Sequence, residues 1–517
     1  MTENNGKLMT NAFFMVVATL LAKALGLLRD ILVAANYGTT VEAIAYDAGS
    51  RLPVLLFDFV IGGVVTAAFI PIFNELLVKS GREKAFEFAD GYITMIALIT
   101  AAIAVLGILT APWLVEFLIP DAAPEAKLLA VKLTRIMFPM IIFTGFAFSF
   151  VGVLLSLGEF KIPAIISMVS NGVIVVYLFS VNRIFGVIGL SLAMVLGWMM
   201  QAFVQVPKLA ALGYRYKIRF DFGSEYIKEA ASGAVPILLG TWTAPVCSLI
   251  NTRFASGIEG GRAVTALGYA NRFYTIIIGV FSYVATNLLF PYISKADAAG
   301  KREEANRLMI SSVRILMLII MPITAGMVVL SKPLVSFIYG HGEFVDSDVV
   351  MTSTALGFYA FGMIFNAANE VFTKAFFARK NNKTPMFASI AAMLVNFAIV
   401  KLLSDAMGVG GIALASGIAV AVGCLFNYFA FLYCDKKMFS LSDAVDMLKM
   451  AAASSGMAVA VYYVSGAVGS DILKLVLGVA SGAAVYALLC ALLRVDEVKA
   501  AFAYLKGKRG NKVDKGT

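Results

Sequence analysis

The chain has very few of the residues that build metal sites and disulfides. Its 517 residues include one histidine, His341, and four cysteines. A lone histidine excludes a metal site made of several histidines and leaves little for histidine acid–base chemistry. The cysteines lie in or beside apolar runs without paired spacing, so we expect them to pack in the core and to form neither disulfides nor a metal site. They are Cys247, Cys424, Cys434 and Cys490.

Charge is also scarce, and this scarcity sets the class of protein. Only 14% of the residues are charged and 60% are hydrophobic, with a mean hydropathy of +0.87. A soluble protein of this length could not bury so much apolar surface, whereas each membrane-spanning helix needs about 20 apolar residues. The apolar runs lack the alternation of membrane β-barrel strands. The composition therefore predicts an all-α polytopic membrane protein.

Long apolar runs follow one another along the chain and predict about fourteen transmembrane helices. The first run has only Lys7 as a positive flank, so we interpret it as a retained span and not a signal peptide. The net charge of +10 is concentrated in alternate loops, which predicts that both termini are cytoplasmic and argues against a nucleic-acid partner. The predicted spans are 9–35, 44–78, 90–118, 128–157, 161–182, 184–208, 228–252, 264–293, 308–331, 350–378, 384–404, 408–433, 444–466 and 471–494.

An internal repeat organises these spans. The segment Gly186–Ala193 recurs as Gly408–Ala415 at an offset of 222 residues, and Arg51 recurs as Arg272 at an offset of 221. An even number of spans separates the copies, so both copies have the same orientation, and two parallel bundles related by an axis along the membrane normal are expected. The predicted domains are a six-helix lobe at 1–219, a second six-helix lobe at 220–437, and two extra helices with a basic cytoplasmic tail at 438–517.

Charges inside the apolar runs mark the candidate site. A charge at a helix centre costs about 2.5–3.5 kcal/mol on insertion scales, so such residues usually face a water-filled interior. Arg29, Asp30, Arg51 and Arg272 are the candidate substrate-binding residues, because two facing bundles would direct them into one cleft. The guanidinium fork binds oxyanions through two hydrogen bonds, which suits a diphosphate or a carboxylate. Further candidates for lining the cavity are Lys23, Asp58, Arg253, Glu370 and Lys374.

These charges also have structural interpretations. Asp47 and Arg51 are one helix turn apart, so Arg51 is either neutralised on its own helix or available to a substrate. Arg29 and Asp30 are neighbours that point about 100° apart on a helix. We therefore expect them not to satisfy each other well.

Three further features are ambiguous in the same way. Glu370 and Lys374 either line the cavity or pair with each other, and Lys23 either joins the arginine cluster or extends towards the interface. The basic, aromatic segment 214–221 either touches anionic lipid headgroups or only holds the topology. Arg314 lies near a helix end and is expected at the membrane interface. No phosphate loop, zinc motif or nucleophile elbow is present in the sequence, so we predict no catalytic site.

Several segments resemble the MurJ (MviN) family of lipid II flippases. They are Gly26–Ala34, the Leu52-Pro53 step, Ala68–Pro71, Tyr269–Tyr274 and Ala375–Pro385. The resemblance covers nearly the whole chain and implies a MATE-like fold of the MOP exporter superfamily. It also implies that Arg29, Asp30 and Arg272 are cavity residues and that Arg51 is the basic residue preceding the Leu-Pro step.

The same resemblance implies a function. The substrate would be an undecaprenyl-diphosphate-linked peptidoglycan precursor, moved from the inner to the outer leaflet by alternating access for cell wall synthesis. The expected location is the bacterial cytoplasmic membrane. The expected partners are the lipid substrate, membrane lipids and the cell-wall synthesis machinery. We expect a transporter and not an enzyme, with no cofactor, and with coupling to the membrane potential or to a monovalent cation.

Two departures from the family pattern keep alternatives open. Phe57 and Asp58 stand where the family usually has an arginine, and the acid of a preceding segment is displaced to Asp47. A flippase for another undecaprenyl-linked polysaccharide unit is therefore an alternative. A cation-coupled multidrug antiporter is another, and it would depend on acids such as Asp30 or Asp58. A membrane scaffold or glycosyltransferase partner without transport is the alternative from a different class.

Overall fold

The computed structural model describes residues 2–60, 68–232, 242–284, 290–379, 381–434 and 440–499. Within these ranges the regular structure is helical, with seventeen numbered α-helices, one 3-10 turn at Glu259–Gly261, further helical residues at 225–232 and 496–499, and no strand. The α-helices are α1 (Thr2–Tyr37), α2 (Val41–Val60), α3 (Ile70–Lys79), α4 (Gly81–Leu118), α5 (Pro124–Met137), α6 (Met140–Ser156), α7 (Lys161–Ser180), α8 (Asn182–Phe203), α9 (Val206–Ala211), α10 (Thr243–Ala255), α11 (Arg262–Val284), α12 (Phe290–Ala298), α13 (Arg302–Tyr339), α14 (Asp346–Ala378), α15 (Lys383–Cys434), α16 (Leu441–Gly466) and α17 (Asp471–Leu492).

The predicted class of fold is confirmed, because each predicted span overlaps at least one of these helices. By length and apolar composition, eight of the described helices can cross a membrane, or nine if α5 and α6, bent by 42°, form one span. The helix α15 has 52 residues and contains two predicted spans, one on each side of Gly408. The total of about fourteen spans stays a prediction.

The repeat is visible in the bounds and the backbone of both copies. The helices α4 and α13 each have 38 residues, and they begin at residues 81 and 302, the same spacing that separates Arg51 from Arg272. Gly186 breaks α8 at φ 54° and ψ −149°, and Gly408 breaks α15 at φ 55° and ψ −135°. Only glycine adopts this backbone region readily, so the same residue type produces the same break in each copy.

Contacts divide the chain into two compact units. The first comprises Met1–Thr265 with Gly342–Phe344, and the second comprises Ala266–His341 with Val345–Thr517. The duplication was expected to divide the chain near residue 219. A boundary of contacts and a boundary of duplication are different properties, so the predicted domain limits stay predictions. The predicted limit at 437, the basic tail from residue 500 and the side chain of Cys434 lie outside the described residues.

Aromatic packing forms the core of the first unit between α3 and α4. The ring centroid of Phe69 lies 4.8 Å from that of Tyr92 and 5.5 Å from those of Phe73 and Phe88. All four side chains are buried. Aromatic pairs at such distances stabilise a core beyond their buried area, so this cluster fixes the helix hairpin against which the rest of the unit packs.

The two extra C-terminal helices pack against α13 in the second unit. Leu330 of α13 forms a buried cluster with Met457 and Val461 of α16. Gly478 and Gly482 allow α17 to approach closely, since a Cβ at Gly482 would lie 3.0 Å from a Val461 methyl group. Small residues at helix contacts are typical of association within membranes.

An ion cluster around Arg314 also attaches this appendage to α13. Arg314 Nη1 lies 2.5 Å from Asp443 Oδ1, Nη2 lies 2.7 Å from Asp446 Oδ2, and Nε pairs with Glu497. The side chain of Arg314 is only 15% exposed and that of Asp446 only 2%. The expected position of Arg314 at the membrane interface stays a prediction. The sequence did not reveal the cluster because Asp443 lies 129 residues from Arg314 along the chain.

Candidate functional site

Arg29 and Asp30 form an ion pair on α1. Arg29 donates to Asp30 Oδ1 from Nη2 at 2.8 Å and from Nε at 3.1 Å. Its Nη1 donates to the side-chain oxygen of Asn171 on α7 at 2.9 Å. The expectation that these two neighbours do not satisfy each other is therefore wrong. The long arginine side chain spans the angular separation, and its planar fork directs two N–H groups at one oxygen.

Arg51 connects α2 to α10. Its Nη2 donates to Asp47 Oδ2 at 2.7 Å, one turn earlier on the same helix. Its Nη1 donates to the hydroxyl of Ser248 at 3.2 Å and to that of Thr252 at 3.0 Å. The side chains of Arg51 and Asp47 are 23% and 25% exposed, and no described residue accepts a hydrogen bond from Nε. Arg51 is thus paired once with an acid and otherwise with neutral groups.

The structure places three of the four predicted binding residues in one compact unit. Arg29, Asp30 and Arg51 belong to the first unit, whereas Arg272 belongs to the second and has an exposed side chain on α11. Arg272 is the repeat counterpart of Arg51, but the residue one turn before it is Gly268 where the first copy has Asp47. The same-helix acid is therefore a property of the first copy alone. A cleft shared by all four residues stays a prediction.

The other candidates in the first unit have varied surroundings. Lys23 and Asp58 are half-buried, and Asp58 has no hydrogen-bond partner among the described residues. Phe57 is buried, with its ring centroid 5.5 Å from that of Phe148. Of the two residues that stand where the family usually has an arginine, Phe57 is therefore a packing residue and Asp58 is the one that adds an accessible charge.

Arg253 is held at the end of α4. Its Nη1 donates to the backbone carbonyl of Phe117 at 2.5 Å, and its guanidinium lies 5.1 Å from the Phe117 ring centroid. The side chain of Arg253 is exposed. These contacts give Arg253 a partner that the cavity hypothesis did not include.

Glu370 and Lys374 lie on α14 in the second unit, and both are half-buried. No ion pair joins them within the part of the chain that the structure describes, so the self-paired alternative is wrong. Lys374 Nζ instead lies 5.8 Å from the Phe377 ring centroid. Their role in lining the cavity stays a prediction.

Neutral partners of the arginines were missed by the sequence analysis. Asn171, Ser248 and Thr252 lie in apolar helices and accept hydrogen bonds from Arg29 or Arg51. The only sequence signal is a polar residue within an apolar run, which is also common at ordinary helix contacts. Among the described residues, no group of histidine, cysteine and acidic side chains is placed to hold a metal ion.

Comparison with solved structures defines the fold. A structure described as "Lipid II flippase MurJ, inward closed conformation" matches with a TM-score of 0.81, covering 94% of this chain and 100% of that chain at 24% sequence identity. An inward-facing multidrug resistance MATE family transporter of the MOP superfamily matches with a TM-score of 0.64, covering 83% of this chain and 100% of that chain at 15% identity. The chain therefore has the helical fold that these two kinds of membrane transporter share.

Sequence comparison identifies the family. The family model described as "Lipid II flippase MurJ" matches residues 33–477. A probable lipid II flippase MurJ of Treponema pallidum (strain Nichols) is 26% identical over 82% of both chains. The lipid II flippase MurJ of Burkholderia cenocepacia is 27% identical over 79% of this chain and 81% of its own. The chain belongs to the MurJ family, as the sequence resemblance indicated. It is a multi-pass protein of a transporter family and not an enzyme.

Proposed function

We propose that the chain moves lipid II, an undecaprenyl-diphosphate-linked peptidoglycan precursor, from the inner to the outer leaflet of the bacterial cytoplasmic membrane. Membership of the MurJ family supports the substrate class. The single observation that carries the mechanism is the surroundings of Arg51, which has one carboxylate partner, two hydroxyl partners and a free Nε edge among the described residues.

This arrangement suits a transported diphosphate. A phosphate oxygen adds the Coulomb attraction of opposite charges to its hydrogen bond with the Arg51 guanidinium, which a hydroxyl oxygen does not supply. A phosphate oxygen would therefore replace the Ser248 and Thr252 hydroxyls favourably, while Asp47 keeps the guanidinium oriented. Release of the lipid stays feasible because the two hydroxyls accept hydrogen bonds from Arg51 Nη1 again when the phosphate leaves.

Arg29 has a related role in the proposal. Asp30 and Asn171 hold its guanidinium from two sides, in a pocket where the side chains of the ion pair are 20% and 13% exposed. With Arg272 of the second unit, Arg29 and Arg51 would supply the positive charges of an alternating-access cavity. The remaining candidates would set the cavity's charge balance.

The energy source is part of the proposal. A membrane potential that is negative inside favours outward movement of an anionic headgroup, by about 2.3 kcal/mol per charge per 100 mV. Both termini would be cytoplasmic according to the distribution of basic loops. Coupling to a monovalent cation and docking to the cell-wall synthesis machinery are further parts of this proposal.

Complementation tests the proposal. Arg29→Ala, Arg51→Gln and Arg272→Ala are expressed in a strain depleted of its own flippase, with membrane abundance matched by immunoblot. Loss of growth with accumulation of lipid II is expected for each. Arg135→Gln is the matched control, because this arginine is exposed and its one hydrogen bond is to a backbone carbonyl. Full growth with all three variants contradicts the site, and accumulation of a different lipid-linked sugar contradicts the substrate.

A further inference from the structure

The first unit contains an apolar cavity of about 610 Å³ that none of the candidate site residues lines. Phe143, Phe146 and Phe150 of α6 form one wall, at the spacing of a single helix face. Phe203 at the end of α8 and Val206 at the start of α9 lie at the cavity and are 54% and 42% exposed. The cavity therefore presents apolar side chains to the surroundings of the protein.

Hydrogen bonds outside the cavity hold its walls in place. Gln205, between α8 and α9, donates from Nε2 to the carbonyl of Ala147 on α6 at 3.0 Å. The Tyr214 hydroxyl donates to Asp90 Oδ1 on α4 at 2.8 Å. Burial, reinforced by the Asp90 carboxylate, raises the pKa of Tyr214, so this hydroxyl stays a donor at physiological pH. The cavity is thus preformed and need not be opened by a ligand.

A second tyrosine completes the anchoring of the segment that follows α9. The hydroxyls of Tyr216 and Thr94 lie 3.0 Å apart, and the backbone N–H of Lys217 donates to Asp90 Oδ1 at 3.1 Å. Arg215 lies between the two anchored tyrosines and contributes to the lining of the cavity. Its position relative to the cavity is therefore fixed by the main chain on both sides.

The charge of Arg215 is uncompensated. Its side chain is exposed, and no ion pair or hydrogen bond holds its guanidinium within the described ranges. The charge of Arg219 on the same segment is compensated, because its Nη1 lies 3.3 Å from Glu87 Oε1 and its Nε lies 3.7 Å from Asp221 Oδ2. An aromatic cavity with one unpaired guanidinium at its edge has the shape and charge of a site for an anionic amphiphile.

We propose that this cavity binds an acyl chain of an acidic membrane phospholipid and that Arg215 binds the lipid phosphate. Lipid is the solvent of a membrane-spanning helix, and basic pockets between such helices recognise acidic headgroups. The guanidinium fork matches phosphate oxygens in geometry. The undecaprenyl tail of the transported lipid is much longer than one acyl chain, and the cavity lies among residues that do not contact Arg29 or Arg51. The occupant is therefore a bilayer phospholipid and not the cargo.

Native mass spectrometry of the full-length chain in mild detergent tests this site. Phosphatidylglycerol and phosphatidylcholine with identical acyl chains are titrated separately. The wild type is expected to bind phosphatidylglycerol about tenfold more tightly, which corresponds to about 1.4 kcal/mol. Arg215→Gln should abolish this preference by weakening phosphatidylglycerol binding about tenfold more than phosphatidylcholine binding, because the choline ammonium already offsets the charge of the phosphate that both lipids carry. Lys217→Gln is the matched control and should keep the preference, because Lys217 is exposed on the same segment but does not line the cavity.

A second variant addresses the apolar part of the site. Ala210→Trp places an indole in the cavity and should weaken the binding of both lipids, with thermal unfolding in detergent confirming that the variant is folded. Should it unfold, the comparison of Arg215→Gln with Lys217→Gln decides alone. Equal losses in these two variants would overturn the proposal, because they would indicate diffuse attraction to a basic surface. Displacement of phosphatidylglycerol by equimolar undecaprenyl phosphate would also overturn it, because the cavity would then be a site for the cargo tail.

Discussion

Arg51 in the first unit and Arg314 in the second are both arginines of membrane helices, yet their partners differ in kind. Arg314 meets a different carboxylate at each of its three nitrogens. Arg51 meets one carboxylate and two hydroxyls. The side chain of Arg314 is 15% exposed and that of Arg51 is 23% exposed, so burial does not distinguish the two arginines. The chemistry of their partners distinguishes them.

The partners of the guanidinium distinguish a structural arginine from a binding arginine. An arginine whose every nitrogen faces an acid has no donor to offer, and an arriving phosphate would meet the repulsion of those acids. An arginine held by one acid and by neutral oxygens keeps its orientation while retaining affinity for an anion. In this chain, the number of carboxylates around a guanidinium is therefore the criterion that separates a structural arginine from a binding one. Variants of these arginines and their partners test this criterion.

The largest effect is expected for Arg314, because each of its three nitrogens faces a carboxylate. Arg314→Met should lower the free energy of unfolding by about 3–5 kcal/mol, because it leaves the buried carboxylates of Asp443 and Glu497 without a counter-charge, while Asp446 keeps its ion pair with Lys449. Thermal unfolding in detergent and the amount of protein in the membrane measure this. Arg135→Met is the control, since Arg135 is exposed and makes a single hydrogen bond of 3.3 Å. Equal destabilisation by both variants would show that the cluster is not a structural attachment.

Arg51→Gln should have the opposite profile. We expect transport of labelled lipid II in proteoliposomes to fall about tenfold or more, because a hydrogen bond to a charged group is lost. The free energy of unfolding should change by less than about 1 kcal/mol, since the ion pair with Asp47 is partly exposed. Arg135→Gln is the matched control and should keep the transport, because Arg135 is exposed and makes its one hydrogen bond to a backbone carbonyl. Unchanged transport in Arg51→Gln, or a loss of stability like that of Arg314→Met, would contradict the criterion.

Substitutions of Asn171 change the partners of Arg29, and one of them gives Arg29 a second carboxylate, so that its surroundings resemble those of Arg314. Asn171→Ala removes an acceptor from the charged Arg29 guanidinium and should cost about 1–3 kcal/mol of stability. Asn171→Asp gives Arg29 a second carboxylate, so the fold should be retained while transport falls, because the guanidinium is then engaged on two sides by acids. Thermal unfolding and proteoliposome transport on the same preparations distinguish the two. Transport that rises in Asn171→Asp would show that acid saturation does not suppress binding.

The sequence predicted the helices and the repeat because both depend on local patterns. Apolar runs located the spans, and the offset between Gly186 and Gly408 predicted two copies, although the backbone break at each of these glycines was not predicted. The ion pair of Arg51 with Asp47 was foreseen as one of two alternatives, because both residues lie on one helix turn. Partners brought by other helices were not foreseen, since neither Asn171 nor Asp443 carries a local signal that connects it to an arginine.

The smallest effect is expected for Arg253. Its substitution tests whether the partners of an arginine, and not its position beside Thr252, decide whether it binds substrate. Arg253 lies on α10, one residue from Thr252, which accepts a hydrogen bond from Arg51. Its own partners are the backbone carbonyl and the ring of Phe117. Exposed cation–π contacts contribute about 0.5–1 kcal/mol, so Arg253→Ala should shift thermal unfolding slightly and leave proteoliposome transport within about fivefold of the wild type, the factor that corresponds to about 1 kcal/mol. A loss of transport as large as that of Arg51→Gln would place Arg253 in the binding site, because a guanidinium held only by neutral groups would then serve as well as one oriented by an acid.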